Sequence, residues 1–242
     1  AGGSALESDE AAAGGQTIRT EASSEIFDPA SGTWSPGGPM GTPRFEHTAT
    51  LLGDGRVLVV GGLGPTGEGD AVGPLASTEL YDPAAEAFVG ASGLSAARAN
   101  HAAALLNDNA VIVSGGAGGE SGDVSLASAE VFDSRAGAWT AVGAMGTTRT
   151  GHSATRLDDG RILVAGGETV RRGERRSLTS GEVFEFDRGA SGEWRSAGDM
   201  ACPRSEQAAV LLGDGSVLVI AGDAAFPGQA PTAQSCVGRY QP

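Results

Sequence analysis

Four arginines, Arg44, Arg98, Arg149 and Arg204, open four related stretches that begin RFEH, RANH, RTGH and RSEQ. A guanidinium offers a planar fork of donors that grips carboxylates and carbonyls through paired bonds. Two uses are open to these four: capture of an acidic ligand, or pairing with the chain's own acids and carbonyls. Four more arginines, Arg171, Arg172, Arg175 and Arg176, crowd into RRGERR. A basic cluster in an otherwise acidic chain suits an acidic peptide or a uronic or sialic sugar, and ordinary solvated charge is the competing reading.

His47, His101 and His152 each follow an arginine by three residues, and Gln207 takes that place in the fourth stretch. Neutral imidazole is a common metal ligand, but one histidine per repeat, rotated about a common axis, makes a ring and not a cluster. No metal site and no cofactor are therefore assigned. Glu46 and Glu206 cannot be joined into a carboxylate pair by sequence alone. No G-x-S-x-G, P-loop or H-E-x-x-H is present, so a catalytic role has no motif behind it.

The elements that must hold these residues read as strands. "HTATLL" passes through Asp54-Gly55 into "VLVVGG", two apolar runs joined by a tight-turn dipeptide, which is a hairpin signal. The turn recurs at Asp159-Gly160 and Asp214-Gly215, with Asp108-Asn109 as a substitute because Asn tolerates positive φ. A second module alternates with it: EIFDPASGTW, ELYDPAAEAF, EVFDSRAGAW and FEFDRGASGEW. Each leading arginine stands 17 residues before the first residue of the small pair at Gly61, Gly115, Gly166 and Ala221, and the units are spaced 54, 51 and 55 residues apart. Four strands in about 50 residues describe a propeller blade.

With these motifs in hand, the chain resembles kelch repeats, in the form found in bacterial kelch-like and galactose-oxidase-type β-propellers. The resemblance covers about residues 24 to 223 and departs from the pattern at Phe88 for Trp, Gln207 for His and Ala221-Gly222 for Gly-Gly. It implies an all-β fold of four-stranded antiparallel blades, with four repeats and a partial one. The aromatic pairs, including Trp34, Trp139 and Trp194, are expected to fill the gaps between blades. The copper-radical oxidases of this fold use tyrosine, cysteine-linked tyrosine and histidine; Tyr81 and Tyr240 sit in packing slots, so that site is not carried over.

Residues 24–242 form the propeller on this reading, and 1–23, small, polar and acidic, form a loop or a disordered arm. Residues 234–242 add a terminal strand with Tyr240 in the aromatic slot. That strand competes with Glu25 to Asp28 for one place, leaving three arrangements: a closed four-bladed ring with the tail outside, an incomplete fifth blade, or part of a longer array. Cys202 and Cys236 fall at the same end of that blade, where a disulfide forms if their Cα atoms come within about 7 Å; two partly buried thiols are the other reading.

Because strands alternate direction, the arginine starts and the long variable loops 63–77, 117–127 and 168–180 share one face. The net charge of −14, with every one of the 16 basic residues arginine, excludes nucleic acid, whose phosphates need broad basic patches. No run is long enough for a membrane helix. Ala1 in place of Met reads as a processed or trimmed start, and a secreted or cell-envelope location is expected, with the cytoplasm left open. The expected function is a non-catalytic scaffold that binds a protein or glycan on the loop face. The alternative is the propeller portion of a larger extracellular carbohydrate-active or oxidase-type enzyme.

Overall fold

The computed structural model describes residues 3–8, 16–67, 71–187, 191–228, 232–233 and 237–241, and every regular element among them is a strand. β1 (Gly3–Ser8) pairs antiparallel with β2 (Gln16–Glu21), and β3 (Glu25–Asp28) with β4 (Thr33–Pro36). The expectation of a loop or disordered arm over 1–23 is thus corrected. Its two described ends form a hairpin just before a third-strand segment, where every later repeat also places a short hairpin. Residues 9–15 lie outside the described residues.

Three complete blades follow. Blade A holds β5 (Thr48–Leu51), β6 (Val57–Val60), a small finger of β7 (Leu63–Pro65) and β8 (Val72–Pro74), then β9 (Thr78–Asp82) and β10 (Ala87–Ala91). Blade B holds β11 (Ala102–Asn107), β12 (Ala110–Ser114), the finger β13 (Ala117–Gly118) with β14 (Val124–Ser125), then β15 (Ala129–Asp133) and β16 (Ala138–Val142). Blade C holds β17 (Ser153–Arg156), β18 (Ile162–Ala165), β19 (Glu168–Arg171), β20 (Glu174–Asp187) and β21 (Ser191–Arg204); the first part of β20 makes a finger with β19 and the second pairs with β18. Blade D holds β22 (Ala208–Leu211), β23 (Val217–Ile220), the finger β24 (Asp223–Ala224) with β25 (Thr232–Ala233), and β26 (Val237–Tyr240). The whole is a kelch-type β-propeller arrangement of four blades.

Local chemistry sets the hairpins. Gly55, Gly160 and Gly215 adopt φ of 89°, 89° and 83°, the left-handed turn conformation that the Asp-Gly dipeptides foretold. At Asp108-Asn109 the expectation needs correcting, because neither residue has positive φ. The Asn107 side chain anchors that turn instead, accepting a 2.9 Å bond from Asn109 N–H, and a bulge near Leu105 and Asn107 absorbs the difference.

The blades stack through their apolar faces. Leu58, Val60 and Leu80 of blade A pack with Val111, Val113 and Phe132 of blade B, and equivalent clusters join B to C and C to D. The inner strands follow one another as β5, β11, β17 and β22. Trp139 and Trp194 are half-buried, and each donates its indole N–H to a carbonyl of the preceding blade, Ser92 at 2.9 Å and Gly143 at 2.7 Å.

At the ends of the array one of the three open arrangements is removed and one expectation is revised. The terminal strand is not packed outside a closed ring: β26 takes the third-strand slot on β23, with Tyr240 opposite Val217 as Tyr81 is opposite Val57. Among the described residues β3 and β4 pair only with each other. Consequently Trp34 does not fill a gap between blades but is 65% exposed, since the inner strands that would bury it are not beside it.

Candidate functional site

The four ring arginines are the first site to resolve. Arg44, Arg98, Arg149 and Arg204 are each 0% exposed. Arg44 donates to Gly61 O at 2.7 Å, Ser77 O at 3.1 Å, Ser77 Oγ at 3.1 Å and Glu79 Oε1 at 2.7 Å. Arg98 repeats this with Gly115, Ser128 and Glu130, and Arg149 with Gly166, Ser180 and Glu182. The glutamates are held from their other side by backbone N–H groups, those of Gly41 and Thr42 on Glu79 and those of Gly146 and Thr147 on Glu182. Arg44, Arg98 and Arg149 therefore each staple the end of strand two to the start of strand three of their own blade.

This corrects the ligand-binding assignment of Arg44, Arg98, Arg149 and Arg204. Their donors are consumed internally or shielded from solvent, and a ligand could reach them only by dismantling a blade. Burial depresses the guanidinium pKa of Arg98, Arg149 and Arg204, and the Glu130 and Glu182 carboxylates oppose that at the first two. Arg204 donates to Val219 O and Ala221 O, but in its blade the register position of the glutamate is occupied by Gly238.

The histidines are rivets between blades. The His101 ring shares a 2.9 Å bond through Nε2 with Thr48 Oγ of the preceding blade, and His152 a 3.1 Å bond with Ser114 Oγ. Gln207, in the corresponding place, donates to Ala165 O at 2.6 Å. Beside each rivet the glycine pair brings the next blade's backbone close: Gly62 N–H donates to Arg98 O at 2.9 Å and Gly116 N–H to Arg149 O at 2.8 Å. A Cβ at Gly61 or Gly115 would collide with those carbonyls.

Burial, with smaller contributions from the charges of Arg98 and His47, lowers His101 to about 3, and His152 also lies well below the usual histidine value. A folded-state pKa below the unfolded value of about 6.5 means that the unfolded chain binds the extra proton. His101 thus contributes stability that is complete above pH ~6.5 and is lost as pH falls toward 3, at about 1.4 kcal/mol per pH unit within that window, and His152 acts in the same direction. The expected result is a urea midpoint that declines from pH 7 to pH 5, and a shallower decline for His101→Gln. A midpoint flat across that range would refute the assignment.

The face predicted from strand parity is present. Isolated bridges Phe45 to Leu63, Ala99 to Ala117, Thr150 to Glu168 and Ser205 to Asp223 tie each arginine start to its finger. Neighbouring fingers are bonded into a collar, with Val170 N–H on Ser125 Oγ at 3.0 Å and Ala225 N–H on Ser177 Oγ at 2.8 Å. At the centre, the residues two positions after each arginine, Glu46, Asn100, Gly151 and Glu206, all have φ between 49° and 62°. Their backbones are linked in sequence: Asn100 N–H to Glu46 O, Gly151 N–H to Asn100 O and Glu206 N–H to Gly151 O, at 3.0, 3.0 and 2.8 Å.

This axial mouth joins what sequence reading left apart. A cavity of about 290 Å³ is lined by Glu46, Asn100, Thr150, Glu168, Arg175 and Glu206, among others. Asn100 Nδ2 donates to Glu206 Oε1 at 2.5 Å, and Arg175 pairs with Glu168 at 2.6 Å. Burial raises the carboxyl pKa of Glu46 and of Glu168; the Glu206 charge adds to both shifts and Arg175 opposes them. Glu168 and Asn100 went unnoticed in the sequence. The signal that could have found Asn100 is its constant offset from the arginine, whereas Glu168 belongs to a finger whose length varies. Among the described residues no group of three or more His, Cys, Asp or Glu is placed to hold a metal ion.

The RRGERR cluster divides. Arg175 is committed to Glu168, whereas Arg171, Arg172 and Arg176 are exposed and have no salt bridge among the described residues. Arg172 sits at the fingertip turn with φ 53°. Cys202 is disulfide-bonded, and Cys236 lies outside the described residues.

Four-stranded meandering sheets around an axis, each locked by a buried arginine and closed by a small-residue pair, define a kelch-type β-propeller. No protein-family model matches the chain. It is 31% identical over 154 residues to Kelch-like protein 34 of Homo sapiens, an alignment that covers 60% of this chain and 23% of that protein. The chain therefore spans less than a quarter of the curated relative it matches. The solved structure of YjhT superposes with a TM-score of 0.70 at 11% identity, covering 98% of this chain and 79% of that one, which shows the shared fold. Among the described residues no helix is long and apolar enough to cross a membrane.

Proposed function

We propose that the protein is a non-catalytic kelch-type propeller that binds a protein partner on the finger face, with an acidic stretch of the partner lying against Arg171, Arg172 and Arg176. The carrying observation is that three exposed guanidiniums, which outnumber the one carboxylate beside them, Glu174 opposite Arg171, share one finger of a chain whose net charge is −14. Elsewhere on the surface exposed arginines are matched, as Arg56 is to Asp54, Arg161 to Asp159 and Arg239 to Asp214. The collar of bonded fingers supplies a stiff platform, which lowers the ordering cost of association. Kelch domains generally bind proteins, and the sequence likeness to a kelch-like protein supports a protein in preference to a glycan.

The test uses immobilised polyglutamate as a probe of this surface. Changing Arg171, Arg172 and Arg176 together to Ser is expected to weaken capture about tenfold or more at low salt, with the melting temperature unchanged because all three are solvent-exposed. Equal capture by the variant and the parent would remove this finger from the site.

A further inference from the structure

The fingers of successive blades lie side by side, and their register sorts the side chains onto two faces. In the finger of blade C, Glu168 stands opposite Ser177, Thr169 opposite Arg176, Val170 opposite Arg175 and Arg171 opposite Glu174. Strand residues alternate sides and opposed residues share one. Glu168, Val170 and Arg175 therefore fall on the face that lines the axial mouth, and Thr169, Arg171, Glu174 and Arg176 on the other. Two of the three exposed guanidiniums thus share a surface that the mouth does not use.

Apolar side chains continue that surface on either side. In the finger of blade B, Ala117 stands opposite Ser125 and Gly118 opposite Val124, so Val124 holds the place that Arg176 holds in blade C. Asp223 heads the finger of blade D as Glu168 heads that of blade C, each through its bridge to the arginine start, so Phe226 holds the place of Arg171. The returning strand of each finger lies beside the outgoing strand of the next: Val170 N–H meets Ser125 Oγ at 3.0 Å, and Ala225 N–H meets Ser177 Oγ at 2.8 Å. Val124 is therefore the neighbour of Arg171, and Phe226 the neighbour of Arg176. Val124 and Phe226 are 39% and 41% exposed. The position of Phe226 is exposed in the other fingers as well, at Thr66, Glu120 and Arg171, so its ring is open by its place in the repeat. The result is a row that reads apolar, basic, basic, apolar across three fingers.

We propose that the partner segment received here is an extended strand in which an acidic residue has a large apolar residue two positions away on each side. Its carboxylate meets Arg171 and Arg176 while the apolar side chains cover Val124 and Phe226. This rests on the finger-face reading above and adds the partner's pattern to it. Spacing and charge both select that occupant. The row crosses four strands side by side, a span of about 15 Å at the ordinary separation of paired strands. An extended chain rises about 3.3 Å per residue and turns every second side chain to one face, so partner residues i, i+2 and i+4 fall over Val124, the arginines and Phe226. Glu174 shares the face and offsets one guanidinium, which suits one central carboxylate better than a run of them. An all-acidic segment would set charge against Val124 and Phe226, and an all-apolar one would desolvate the guanidiniums without pairing them. With apolar flanks in place, water is excluded around the charged pair and its attraction grows.

Fluorescence anisotropy of the full chain with labelled peptides tests this, using Trp-Glu-Glu-Glu-Trp, Glu-Glu-Glu-Trp-Trp and pentaglutamate as probes. The parent chain is expected to bind the first about tenfold or more tighter than pentaglutamate, and about threefold or more tighter than the second, which has the same composition without the spacing. Phe226→Ser is expected to bring the first ratio to within about threefold, and Val124→Ser to lower it by a smaller factor. Both side chains are exposed, so an unchanged melting temperature will show that the variants fold. Equal binding of the three peptides by the parent chain, or a preference that survives Phe226→Ser, overturns the proposal. The change of Arg171, Arg172 and Arg176 together to Ser is read separately. It is expected to weaken all three peptides, and unchanged binding of pentaglutamate by that variant overturns the finger-face reading itself.

Discussion

Arg149→Ala is expected to be among the most damaging single changes in the molecule, lowering the unfolding free energy by about 3–5 kcal/mol. The guanidinium is fully buried and bonded to Gly166 O, Ser180 O, Ser180 Oγ and Glu182. Its loss strands the Glu182 carboxylate and two backbone carbonyls away from water, and stranding a buried charge costs more than forming the pair gained. Arg149→Lys is expected to recover only part of the loss, because a single ammonium cannot reproduce the forked geometry. The surface pair provides the contrast. Arg56 and Asp54 are 2.7 Å apart but substantially exposed, so Arg56→Ala is expected to cost less than about 1 kcal/mol. Urea denaturation of the three variants measures the difference, and a cost for Arg149→Ala as small as that for Arg56→Ala would refute the structural role assigned here.

Phe132→Ala should cost about 3–5 kcal/mol, whereas Trp34→Ala should cost under about 1 kcal/mol, although both residues belong to the same repeated aromatic pair. Phe132 is 0% exposed, contacts Trp139 and sits in the cluster formed with Leu58, Val60, Leu80, Val111 and Val113. Deleting its ring opens a void exactly where two blades meet, and such close-packed surfaces relax little. Trp34, 65% exposed, has water on much of its ring already. Denaturant midpoints at dilute protein concentration check both values. A large loss for Trp34→Ala under those conditions would mean that its hairpin is covered in the isolated chain.

Hairpin geometry inside a repeat was legible in the amino-acid sequence, the Asp108-Asn109 turn excepted. The 17-residue offset from each arginine to its small pair became a bond, Arg44 to Gly61 O and Arg98 to Gly115 O, because a hairpin of set length brings those two points together regardless of its neighbours. The Asp-Gly turns and the aromatic pairs are legible for the same reason: hairpin geometry is local. Tertiary structure alone decided what happens between repeats. It also decided, inside each blade, which way the arginines face: strand three brings Glu79, Glu130 and Glu182 within reach of Arg44, Arg98 and Arg149 and turns those three inward. Glu46, Glu168 and Glu206 come from different repeats and share a cavity because the blades converge on an axis. Trp34 carries the same local pattern as Trp139, yet one is exposed and the other half-buried. Burial depends on which sheet stands alongside, and a period in the sequence specifies a blade without specifying its neighbour.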